Sequence, residues 1–166
     1  MMKESILKDD LFFHYVHGLC RVGEVTGAGS AGISYLLLPV TNTKANERFI
    51  VPAMSFEDSG FSKPVTVRGA YAILDFIKTG DKKESECGRA WELAALVRTE
   101  GKSREPAKDA RKRQHLERTV KGLVFELAFV LKTSAGDITA RMRKNLGAAA
   151  EINPFVLTAL TNAGKD

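Results

Sequence analysis

The chain has 166 residues, 44% of them hydrophobic and 27% charged, with a formal net charge of +5. That length can bury a real core, as one domain or as two small ones. No apolar run approaches the about 18 residues that cross a bilayer, and the charged start MMKESILKDD carries no apolar signal core, so neither a membrane span nor export is expected. Cys20 and Cys87 lie far apart without C-x-x-C spacing and read as reduced thiols of a cytosolic protein rather than a disulfide framework.

The charge is unevenly spread. Residues 1–63 carry six Lys/Arg against seven Asp/Glu, whereas residues 102–121 carry eight against three, so this one segment matches the whole excess. Such asymmetry points to an anionic partner near that segment, nucleic acid first among them. The plainer alternative is a solvated helix face.

From Leu11 the chain reads as β structure. Leu11 to Val16 is an apolar and aromatic run, broken by Gly18 and resumed from Leu19 to Val25. A glycine inside a strand pattern marks a bulge or a close backbone approach, and Gly23 between Val22 and Val25 predicts a bend. Thr26 to Gly32 holds three glycines and reads as a loop. Ile33 to Val40 is the next strand, with Pro39 placing its far end at an edge. Thr41 to Asn46 is a polar turn, and Arg48 to Val51 is the last strand, stopped by Pro52. Short strands joined by short turns bury their apolar faces most simply as a curled, barrel-like sheet, whose edges stay open to strand addition.

The stretch offers little chemistry. His14 and His17, three apart on a strand, are expected on opposite faces and lack further ligands. No base or orienting group accompanies Cys20. No paired carboxylates, phosphate loop, metal cluster or nucleophile constellation is visible anywhere. The expectation is a protein that is no enzyme and needs no cofactor.

The remainder reads as helix. Ser55 to Gly60 is a polar turn, and Phe61 to Val67 leads across to a helix over Ala70 to Lys78, with Gly80 as its stop. A second helix is predicted from about Cys87 to Thr99, with Leu93, Leu96 and Val97 on one face and Gly101 at its end. The strongest pattern follows Pro106, a first-turn proline: Leu116, Val120, Leu123, Val124, Leu127, Val130 and Leu131 recur at helical spacing. Its first half, Lys108 to Lys121, is basic, while Leu123 to Leu131 is apolar nearly all round and is expected to be buried on several sides. Ser134-x-x-Asp137 reads as the capping box of a fourth helix, Asp137 to Glu151. Asn153-Pro154 reads as the cap of a short fifth, Phe155 to Leu160.

These residues together resemble a known family. His17-Gly18-Leu19-x-x-Val22, the Tyr35-Leu-Leu-Leu strand, Val51-Pro52-Ala53 and Gly60 follow, in order and spacing, the pattern of the CarD/CdnL family of bacterial transcription regulators, a module found also in transcription-repair coupling factors. The basic-then-apolar helix with the run GLVFELAFVL, and the Asp137–Ala150 helix, have counterparts there as well. The span before Pro106 is shorter than the family's by a helix, and the segment after Glu151 has no counterpart in it.

The resemblance implies an α+β chain: an N-terminal Tudor-like β-barrel over residues 1–63, then an all-helical domain over residues 64–166. It implies docking on the RNA polymerase β subunit through the strand Arg48, Phe49, Ile50, Val51 and Pro52. Family members often carry a basic residue where Ile50 stands. It also implies largely sequence-independent contact of the helical domain with promoter DNA, through Arg89, Arg98, Lys108, Arg111, Lys112, Arg113 and Arg118, stabilising the open complex. The family inserts an exposed tryptophan into the minor groove. Trp91, the only tryptophan, is either that wedge or a core anchor between helices. A protein–protein adaptor without DNA contact is the alternative function.

Overall fold

The computed structural model describes residues 6–14, 17–27, 32–40, 47–103 and 109–165. The expected 41–46 turn, the centre of the glycine loop, Pro106 and Lys108 lie outside them. The chain is α+β and divides into two compact units, Met1–Pro64 and Val65–Asp166. Among the described residues no helix is long and apolar enough to cross a membrane.

The first unit is a five-stranded antiparallel sheet in the order β4-β3-β2-β1-β5, made of β1 (Leu11–His14), β2 (Gly18–Thr26), β3 (Ser34–Pro39), β4 (Phe49–Pro52) and β5 (Phe61–Ser62). Alternation turns one side of these strands inward, so that Phe12, Cys20, Val22, Tyr35, Leu37, Val51 and Phe61 form a core with Phe56. Gly18, at φ +73, opens β2. The register shifts between Val22 and Glu24, so the bulge falls at Gly23, where a Cβ would come within 2.8 Å of Leu38. The sheet curls: Phe49 and Phe61, on its two outermost strands, have ring centroids 6.1 Å apart.

Two expectations change here. The segment after β4 is a 3-10 helix, Ala53–Asp58, which buries Phe56 at the mouth of the sheet instead of forming a plain polar turn. Phe61 and Ser62 pair with His14 and Phe13 as a fifth strand, too short to leave a periodic signal. Pro39 is tolerated because the Val40 N–H donates to the Leu19 carbonyl at 2.9 Å, which leaves Cys20↔Pro39 a non-bonded pair with its nitrogen turned away from β2. On the other side β4 pairs only with Ser34 to Leu37.

The second unit is a bundle of α1 (Val67–Thr79), α2 (Arg89–Lys102), α3 (Ala110–Leu131), α4 (Ala135–Leu146) and α5 (Pro154–Gly164). Its boundaries follow from capping chemistry. The Ser134 hydroxyl accepts from the Asp137 N–H at 3.0 Å, as the capping box requires. Asn153 Oδ1 accepts from the Phe155 N–H while Asn153 Nδ2 donates to the Ser103 carbonyl, both at 3.0 Å, so one buried side chain starts α5 and ties it to the end of α2. α3 supplies the central stripe of Leu116, Val120, Leu123, Val124 and Leu127. Phe129, on its outer side, is exposed, so the apolar half of α3 is not covered all round.

α2 meets its expected face in part: Val97 is buried and Leu93 packs against the core, but the other buried positions lie elsewhere. Its buried residues are Ala90, Trp91, Ala94, Val97 and Gly101, whereas Leu93 is only half-buried. Small residues let the helices approach closely, and Gly101, in the last turn of the helix, is itself buried. A Cβ there would lie 3.1 Å from Leu146. The small-residue face is the packing face.

Glu126 is buried within this bundle and its carboxylate accepts the Val65 N–H at 3.0 Å. Burial pushes its carboxyl above the ordinary value, with the hydrogen bond opposing in lesser part. The folded state therefore holds the proton more tightly than the unfolded chain, and stability falls as pH rises from the unfolded value through the folded one. Glu126→Gln keeps an acceptor for Val65 without the charge. The variant is expected to melt higher than wild type at pH 7 and to lose less stability than wild type between pH 5 and pH 7. Calorimetry at the two pH values checks this.

Candidate functional site

β4 is one edge of the sheet, bonded to β3 on one side only. The Ala53 N–H donates to the Ile33 carbonyl at 2.8 Å. Antiparallel pairs alternate between hydrogen-bonded and non-bonded, so Tyr35↔Val51 and Leu37↔Phe49 are the bonded pairs. Ile50 then turns its own N–H and C=O away from β3, towards the free edge. Pro52 has no N–H to offer and shortens the row of open donors.

Side chains follow the same alternation. Ile50 is 72% exposed, and Arg48 and Pro52 are exposed too, whereas Val51 is 8% exposed and lines the core. Phe49 is half-buried and stacks on His17 with centroids 4.0 Å apart. Phe49 and Val51 thus hold the strand in place, while Arg48 and Ile50 are the residues whose side chains stand outward. Met54, just beyond the strand, is a second large apolar side chain left in solvent, at 98% exposed. Only the spacing of Met54 from Ile50 could have revealed it, since the segment around it reads as polar.

His14 and His17 do not point to opposite faces. The turn into Gly18 folds them together, with rings stacked at 4.4 Å. His14 Nε2 donates to the Ser59 carbonyl at 3.1 Å and its Nδ1 accepts the His17 N–H at 3.3 Å, because a carbonyl only accepts and a backbone N–H only donates. Both ring nitrogens therefore serve the fold, fastening the β1–β2 turn to the loop before β5. Among the described residues no three His, Cys, Asp or Glu converge as metal ligands. Cys20 is fully buried, and burial, with the Glu47 carboxylate adding to it, pushes its thiol up to about 11. It stays protonated at neutral pH and is no nucleophile there.

In the helical unit the cationic residues separate into two groups. Arg111, Lys112, Arg113 and Arg118 are exposed on α3, with the Arg113 guanidinium 5.5 Å above the Phe155 ring. Arg89 and Arg98 are half-buried on α2. The Arg98 guanidinium covers Gly80, the left-handed residue that ends α1: a Cβ there would lie 2.6 Å from Arg98 Cζ. A cation at that place faces the negative end of the α1 dipole, a role inside the bundle.

Of the two places expected for Trp91, the structure shows the core anchor. Its indole is 6% exposed and meets the Phe76 ring edge-on, with centroids 5.6 Å apart. A wedge must present its ring to solvent before it can enter a groove. The packing of α1 against α2 puts this one in the core. No family model matches the chain, and neither does any curated protein.

Proposed function

We propose that the chain is a bacterial transcription regulator of the CarD/CdnL kind, acting in the cytoplasm without catalysis or cofactor. In this reading the curled sheet is a Tudor-like half-barrel that adds the free edge of β4 to a strand of the RNA polymerase β subunit. Backbone pairing at Ile50 supplies affinity, and Arg48, Ile50 and Met54 supply register. The observation that carries the reading is this edge: a short, one-sided strand whose outward residue, Ile50, is a large exposed aliphatic, with exposed Met54 following in the next segment.

The helical unit then meets promoter DNA through Arg111, Lys112, Arg113 and Arg118. Such contacts go to phosphates and are salt-sensitive and blind to sequence. With Trp91 in the core, preference for the open complex rests on phosphate contacts better satisfied in that state, since only differential binding shifts an equilibrium. Attachment to polymerase raises the local DNA concentration, so weak intrinsic affinity suffices.

A gel shift on fork-junction DNA, with and without polymerase, tests the reading. A supershift of the polymerase–DNA complex, with added stability that fades as salt rises, is the expected result. Added stability indifferent to salt would favour an adaptor that touches protein alone.

A further inference from the structure

Between α3 and α5 lies an open groove of about 480 Å³. Gln114, Arg118 and Lys121 line it from α3, and Asn162 and Lys165 from α5 and the residue after it. Its α5 wall includes Ala159 and Ala163, which leave the space unfilled. One carboxylate faces in, that of Glu117, and it accepts a hydrogen bond from Asn162 Nδ2 at 3.0 Å. Among the described residues, three cations and two side-chain amides thus line a groove with one carboxylate, which is already engaged.

We infer that this groove seats the sugar-phosphate backbone of a nucleic acid, with Lys165 and Asn162 completing a site that α3 alone leaves half-built. The inference rests on the DNA-contact reading above and adds to it a location and a second helix. Gln114, Arg118 and Lys121 stand at i, i+4 and i+7, one face of the helix. Arg111 extends the same face, so the track from Arg111 to Lys121 rises about 15 Å. A track of that length runs past more than one phosphate of a strand laid along it. An open track of this length suits a polyanion rather than a single small phosphate. Arg118 donates in a fork to non-bridging oxygens, Lys121 and Lys165 act as point charges, and the amides of Gln114 and Asn162 donate to phosphate or sugar oxygens. The segment after Glu151, which adds α5, thereby gains a role as the second wall of the channel.

The test is fluorescence anisotropy of the full chain with a labelled mixed-sequence duplex across a salt series. Wild type is compared with Arg118→Ala/Lys165→Ala and with Arg143→Ala/Lys144→Ala, which removes the same charge from exposed positions on α4. The groove variant is expected to bind at least tenfold more weakly, with the salt slope shallower by about 1.8, two phosphates at about 0.9 each. The α4 variant is expected to keep the wild-type slope. Glu117→Gln, which removes the facing carboxylate, is expected to bind more tightly than wild type. If wild type binds and both charge variants weaken equally, or the groove variant does not weaken, the groove is overturned while the DNA reading stands. If wild type does not bind the duplex at any salt, the DNA reading fails and the groove with it. Competition by pyrophosphate at matched ionic strength, at concentrations too low to act by screening, would convert the site to one for small anions and overturn the backbone assignment.

Discussion

Trp91→Ala is expected to lower the melting temperature of the helical unit by about 12 °C or more. Removing a buried tryptophan costs about 3–5 kcal/mol, from lost transfer energy and from the void left behind. In a unit of this size each kcal/mol shifts the midpoint by about 4 °C or more. The indole packs against the Phe76 ring and is buried on α2 together with Ala90 and Ala94, residues too small to fill the space it leaves. The loss should therefore lie near the top of that range, with Trp91→Phe recovering a large part of it. Circular dichroism on the full chain reads the transition without relying on the missing fluorophore. An unchanged midpoint, accompanied by a shortened open-complex lifetime, would restore the indole as a DNA wedge and contradict the core placement.

Trp91 also shows where the sequence stops being legible. In α2 the large aliphatics Leu93 and Leu96 draw the apparent stripe away from the real one, because packing here selects small residues for close approach. Periodicity weighted by side-chain size misses that. Capping residues are more legible, since Ser134 and Asn153 act locally and their hydrogen bonds depend on nothing distant. The strands are legible through Gly18, Gly23 and Pro52, each of which punctuates the chain for its own backbone reason. β5 is not, because two residues carry no period, and the stacking of His14 on His17 depends on the pairing of β1 with β2, which sets His14 opposite Gly18. Of the candidate site, the position of β4 is legible and its inward and outward residues follow from alternation. The α3–α5 groove is not, since Lys165 and Arg118 are brought together only by tertiary packing.

Arg48→Glu combined with Ile50→Glu is the variant expected to change function most while leaving the fold intact. Both positions are exposed, so neither substitution buries a charge, and the inward anchors Phe49 and Val51 stay in place. Two carboxylates at the open edge replace an apolar contact and a cation, and they set like charge against any acidic partner strand. Loss of a central apolar anchor and reversal of a neighbouring charge together remove several kcal/mol of binding, enough for at least a hundredfold weaker capture. The melting temperature should stay within a degree or two of wild type.

The most direct measurement is affinity purification of tagged wild-type and double-variant chains from the native cell, followed by quantification of the RNA polymerase β subunit. Wild type should bring the β subunit down and the double variant should leave it at background, both chains being equally folded. A wild-type chain that recovers no polymerase, or a double variant that recovers as much as wild type, would contradict docking through the β4 edge.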